Sequence, residues 1–136
     1  MNDNIIDYKN RIKSLENDTT KKEGLLIREA VRLGFTIENS IYYFKYLKND
    51  FKLYVFSKNT LIEIKNISSD NVNEIEANIY PLKNIENISY RKDRFYLRGL
   101  NFTIGERVFQ FSPVDDFVEF KLTYSTMLES VVSNFI

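Results

Sequence analysis

The densest set of residues able to do chemistry is a basic, aromatic stretch, Tyr90-Arg91-Lys92-Asp93-Arg94-Phe95-Tyr96-Leu97-Arg98. Guanidinium groups present paired donors to anionic oxygens, and rings beside them stack on planar groups. Arg91, Lys92, Arg94 and Arg98 are therefore the candidate anion-binding hairpin. The same stretch also reads as a solvated turn whose charges blunt a sheet edge. The second set is the aromatic run Tyr42-Tyr43-Phe44-Lys45-Tyr46. One face of a helix or strand cannot bury every ring in it, and tyrosine is enriched where proteins meet. Tyr42, Tyr43 and Tyr46 are therefore the candidate interaction surface, with core packing as the plain alternative.

The remaining charges are scattered. Lys45, Lys48, Lys52 and Lys58 need not converge. Glu63, Glu74, Glu76 and Glu86 could pair as carboxylates or hold a divalent ion, but no spacing among them matches a metal loop. Their alternation with apolar residues places them on outward strand positions. The polar segment 66–73, with Ser68, Ser69 and Asp70, reads as a surface loop too poor in glycine to cradle phosphate.

Composition narrows the chemistry further. The 136 residues contain no cysteine and no histidine. Disulfides, thiolate metal sites and cysteine nucleophiles are excluded. So is the commonest general base and the usual activator of a serine nucleophile. An enzyme is therefore not expected, and no cofactor or metal is expected either. Positive and negative side chains balance at 19 each, which removes the simplest electrostatic case for nucleic acid. Met1-Asn2-Asp3-Asn4 lacks the basic start and apolar run of a secretory leader. No apolar run reaches the length of about 18 residues that a membrane-spanning helix needs. A cytoplasmic chain is expected.

These residues must be positioned by elements legible in the periodicity. Ile5, Tyr8, Ile12 and Leu15 share one helix face. Thr20-Lys21-Lys22-Glu23 has the capping-box spacing for a second helix carrying Leu26, Ala30 and Leu33, with Gly34 placed for a left-handed C-cap. Residues 35–50 fit a strand by residue type and a helix by the spacing of Tyr43, Tyr46 and Leu47. The reading favours a helix ending in a turn at Asn49-Asp50. Short strands follow: 52–56, 61–65 across a Ser57-Lys58-Asn59-Thr60 turn, 75–79 before Tyr80-Pro81, one from Ile85 through Tyr90, Phe95-Tyr96-Leu97 across the Arg91–Arg94 turn, and 108–111. No strand–helix–strand crossover is visible. Ser112, Pro113, Asp115 and Asp116 mark the start of a long final helix. Its broad apolar face runs from Val114 to Phe135, interrupted by Lys121 and Ser125.

The fold class is thus α+β, an antiparallel meander or roll of six to seven strands with a long C-terminal helix and two added N-terminal helices. Residues 1–136 form one domain, with 1–34 a helical hairpin and 51–136 the roll. Tyr54-Val55-Phe56-Ser57-Lys58-Asn59-Thr60-Leu61-Ile62 resembles the first hairpin of bacterial pleckstrin-homology-like domains. Tyr80-Pro81-Leu82-Lys83-Asn84-Ile85-Glu86-Asn87-Ile88 is similar to their step into the next strands. The resemblance covers residues 51–136 and implies a non-catalytic binding module; the two N-terminal helices depart from it. The leading expectation is recognition of a protein partner or a second copy of the chain. The alternatives are binding of a phosphoinositide, anionic lipid or phosphate ligand through the basic hairpin, and inhibition of a host protein by a small phage or mobile-element product. The last rests on size and an Asn-, Ile- and Lys-rich composition.

Overall fold

The computed structural model describes residues 5–48, 50–67 and 74–136. Serines 68 and 69 and Asp70 of the expected loop lie outside the described residues. Two helices, α1 (Ile5–Glu16) and α2 (Lys22–Arg32), precede seven strands: β1 (Ile41–Leu47), β2 (Asp50–Ser57), β3 (Thr60–Asn66), β4 (Ile75–Pro81), β5 (Ile85–Lys92), β6 (Leu97–Ile104) and β7 (Arg107–Phe111). A short α3 (Pro113–Asp116), a 3-10 turn (Val118–Phe120) and α4 (Lys121–Asn134) close the chain. The strands form two antiparallel sheets in sequence order, β1-β2-β3-β4 and β5-β6-β7. Among the described residues, no helix is long and apolar enough to cross a membrane.

The helical hairpin is built as its sequence suggests except at the two ends of α2, and Leu33, expected on its apolar face, is instead the exposed C-cap residue. Tyr8 and Ile12 are buried on α1, and Leu26, Ile27 and Ala30 on α2. The expected capping box does not form. Asp18 Oδ1 accepts both the Thr20 amide at 2.9 Å and the Thr20 hydroxyl at 2.5 Å. The threonine is thereby held in the turn, and α2 starts only at Lys22 without a side-chain cap. Gly24 is required by proximity, since a Cβ there would lie 2.2 Å from the Leu15 carbonyl oxygen. At the other end Gly34 has φ +101°. The Phe35 amide reaches the Ala30 carbonyl and the Gly34 amide reaches Val31, closing α2 in a Schellman motif.

Residues 41–47 are a strand, which overturns the helical reading of 35–50. Tyr42 and Phe44 lie on one face and Tyr43 on the other, and all three are buried. Because both faces of β1 are covered, the apolar/polar alternation that marks a strand is absent. The three-and-four spacing of Tyr43, Tyr46 and Leu47 then imitated a helix.

The core has two floors. Between the sheets, Tyr43, Tyr54 and Phe56 meet Phe111, with ring centroids 5.0–5.4 Å apart. On the outer face of the first sheet, Leu53, Val55, Ile62 and Ile64 are fully buried, and the element packed there is α2, against β2 and β3. β1 would otherwise be a bare edge, and two tyrosines close it. The Phe44 amide donates to the Tyr124 hydroxyl oxygen at 2.9 Å, and the Tyr8 hydroxyl donates to the Tyr42 carbonyl at 2.8 Å. The two hydroxyls are 2.7 Å apart. Each carries one proton, so Tyr124 donates to Tyr8.

Two further expectations change in detail. The turn after β5 spans Asp93–Tyr96, not Arg91–Arg94, because Asp93 Oδ1 accepts the amides of Phe95 and Tyr96 at 2.7 and 2.8 Å. Phe95 and Tyr96 are therefore turn residues rather than strand. The final helix is interrupted at Phe117, whose extended backbone (φ −159°, ψ 83°) separates α3 from the 3-10 turn that leads into α4. Its ring is thereby lodged against Tyr46, Phe120 and Tyr124. Ser125, an apparent flaw in the apolar stripe, is buried because its hydroxyl accepts the Leu97 amide at 2.7 Å.

Candidate binding surface

The aromatic run does not supply the expected surface. Tyr42 is 3% exposed and Tyr43 is fully buried. Tyr42 donates to the Phe35 carbonyl, and Tyr43 donates to Asp116 Oδ2 at 2.6 Å. Tyr46 is half-buried, with its hydroxyl 3.2 Å from Glu23 Oε2. The rings are consumed because one face of β1 meets the second sheet and the other meets the N-terminal helices. Burial raises all three hydroxyls above the usual tyrosine range, so they remain protonated donors.

The four cations of the basic hairpin do not converge. Arg91 and Lys92, adjacent on β5, take opposite faces. Lys92 Nζ lies 3.2 Å from Glu129 Oε1 on α4. Arg91 lies across from Gly99 and lines a cleft of about 390 Å³ with Lys45, Asn101, Gln110, Asp115 and Asp116. Arg98 pairs with Asp93 at 3.6 Å and lies over the Tyr96 ring. Arg94 stacks on Phe95 at the tip. Each charge has its own neighbour, and no single anion could touch all four.

Periodicity missed two carboxylates. Alternation with Ile62 and Ile64 puts Glu63 on an outward strand position, yet it is 1% exposed between the sheets. Tyr54 donates to it at 2.8 Å, Arg107 from β7 reaches it at 2.9 Å, and Lys52 stands 3.9 Å away. Burial pushes this carboxyl up, but the Arg107 guanidinium and the Tyr54 hydroxyl outweigh burial and hold it below the usual glutamate range. Asp116 is the opposite case. It is 4% exposed and accepts from Tyr43 and from the Ser112 amide at 2.7 Å. Among the described residues no cation pairs with it, and burial raises it above the usual aspartate range against the smaller opposing effects of Tyr43, the Ser112 amide and Lys45. Glu76 instead pairs with Lys65 at 3.4 Å, and Glu86 is exposed. Among the described residues, no three carboxylates gather as metal ligands would.

A groove remains that the sequence did not suggest. Tyr90, Lys92 and Leu97 form one wall, and Glu129, Val132 and Ser133 of α4 the other, around about 170 Å³. β5 is the edge of its sheet beside this groove, and it is exposed almost along its whole length. Ile88 and Tyr90 are 41% and 54% exposed, and Phe95 at the following turn 78%. A pairing irregularity between Glu86 and Ser89, with Asn87 at φ +55°, kinks the first half of the strand. The second half, Ser89–Lys92, is exposed as well and carries a second pairing irregularity between Arg91 and Lys92. The charges of the basic stretch fit an edge position, but the groove beside it depends on where α4 packs and has no signal along the chain. No family model, no curated protein and no solved structure matches this chain.

Proposed function

We propose that the chain is a non-catalytic binding module that recognises an extended, acidic segment of a protein partner along Ser89–Lys92 of β5. The observation that carries this reading is the exposed strand edge beside a groove of mixed polar and apolar lining. An edge strand offers a row of backbone donors and acceptors to an incoming strand, and a flanking pocket selects alternate side chains. Tyr90 and Val132 offer apolar contact and Lys92 stands in the groove beside Glu129, while Arg91 on the other face of β5 and Arg94 and Arg98 at and beyond the turn are spread along the same edge. Dispersed cations suit a segment several residues long better than a single phosphate. The order of antiparallel strands and a closing helix supports the pleckstrin-homology-like resemblance of residues 51–136.

Selection from a displayed random-peptide library tests the reading. Enriched peptides are expected to carry acidic residues around an apolar anchor and to lose binding to Ser89→Pro and Tyr90→Asp chains. Peptides that bind both variants as well as the parent chain would place recognition elsewhere.

A further inference from the structure

A second strand edge, on β4, differs in chemistry from β5. The Ile67 amide donates to the Glu74 carbonyl at 2.8 Å. Antiparallel alternation from that pair turns the backbone groups of Glu76, Asn78 and Tyr80 toward β3 and those of Ile75, Ala77 and Ile79 outward. The side chains of these outward residues lie on the outer face, because Ala77 stands opposite Ile64 and Ile79 opposite Ile62. Ile62 and Ile64 are sealed beneath α2, but the cover stops short of β4. Ile79 is 59% exposed, and Ala77 and Pro81 are exposed beside it. The outward positions 75, 77, 79 and 81 are all apolar, with no lysine or bulge of the kind that guards edge strands.

We propose that β4 is a self-association strand on which a second copy of this chain pairs antiparallel along Ile75–Pro81, about a two-fold axis at Asn78. The strand is self-complementary in this register. Ala77 of one copy faces Ile79 of the other, so their outward amides and carbonyls bond reciprocally. Ile75 faces Pro81, whose carbonyl accepts and whose missing N–H ends the ladder. Other in-phase registers leave an end of the strand without a partner. On the opposite face Glu76 meets Tyr80 and Asn78 meets Asn78, so no like charges oppose one another. The outer-face residues of both copies merge into one apolar stripe continuing the surface under α2, and the contact is isologous and closed. This contact is independent of the β5 groove.

Sedimentation velocity of the full chain from about 1 to about 100 μM tests it, the regime in which a modest interface dissociates. A reversible monomer–dimer equilibrium is expected. Ile79→Lys and Ala77→Pro are each expected to weaken it at least about tenfold, since one adds charge to the stripe and the other removes an outward donor. Amide exchange at Ala77 and Ile79 is expected to slow as the dimer fills, while Tyr90→Asp leaves the equilibrium unchanged. Should Ala77→Pro disturb folding, Ile79→Lys decides alone, because its site is already exposed. A chain that stays monomeric across the range overturns the proposal. So does a dimer insensitive to Ile79→Lys, or one protected at β5 instead of β4.

Discussion

The outer faces of the two sheets have opposite fates. On the first sheet, Leu53, Val55, Ile62 and Ile64 are fully buried beneath the N-terminal helices. On the second, Arg91, Asn101 and Gln110 stand exposed. A sheet that is apolar on both faces must be covered twice, whereas one with a polar outer face can meet water directly. The added helices therefore serve the first sheet's composition, and the second sheet's polar face and outer strand are left exposed.

Removing the cover is the strongest way to test that contrast. Deleting residues 1–34 uncovers four fully buried aliphatic side chains and releases the Tyr42 carbonyl that Tyr8 holds at the β1 edge. Each such side chain is worth about 1.5–3 kcal/mol when removed from water. That sum is comparable with the whole stability of an ordinary domain. The truncated chain is expected to lose its cooperative thermal transition and to bind a hydrophobic dye. A sharp transition near the parent temperature in the truncated chain would mean that the helices are accessory to the first sheet.

Between the faces, the two sheets are joined by Glu63 and Arg107. Replacing Arg107 with Met leaves a buried carboxylate with only the Tyr54 hydroxyl and the Lys52 ammonium at 3.9 Å. The expected loss is about 3 kcal/mol, the low end for breaking a buried pair, because Arg107 itself is partly exposed. Denaturant unfolding of the variant at neutral pH measures it. Glu63→Gln together with Arg107→Met is expected to recover part of the loss, since the orphaned charge is gone.

Much of this architecture was legible, for reasons visible in particular residues. The α1 stripe, the Gly34 cap and the turn at Lys58-Asn59 follow local rules. β2 and β3 have no wet face, but a doubly buried run is legible as a strand where a marked hairpin turn adjoins it and no helical spacing competes with its residue types. β1 failed that condition. Buried on both sides, it carried no alternation, so its tyrosines looked both helical and superfluous. Glu63 failed for a related reason. Its alternation with Ile62 and Ile64 was real, but the face it points to is the interior between the sheets, and its partner lies 44 positions away on β7. The basic hairpin was found as a sequence feature. Its fork across two faces depends on strand pleat and on Glu129, which the linear order places far off. The β5 groove was invisible because it exists only once α4 is laid beside an edge.

Asp116 gives the subtlest test, because its sign opposes that of Glu63. The folded-state value of Glu63 is lowered, so its contribution is present above the ordinary glutamate range and is lost as pH falls through the lowered value. The folded-state value of Asp116 is raised. The native chain therefore holds its proton where the unfolded chain has released it, and stability falls as pH rises from the ordinary aspartate range through the raised value. Asp116→Asn keeps an oxygen for Tyr43 and the Ser112 amide but carries no ionisable group. Stability measured by denaturant across mildly acidic to neutral pH is expected to decline less steeply, or rise more, in the variant than in the parent chain. Near the acid end, where parent Asp116 is already protonated in both states, the two curves should run parallel. Parallel curves over the whole range would mean that Asp116 ionises without cost, with Lys45 across the neighbouring cleft offsetting its burial.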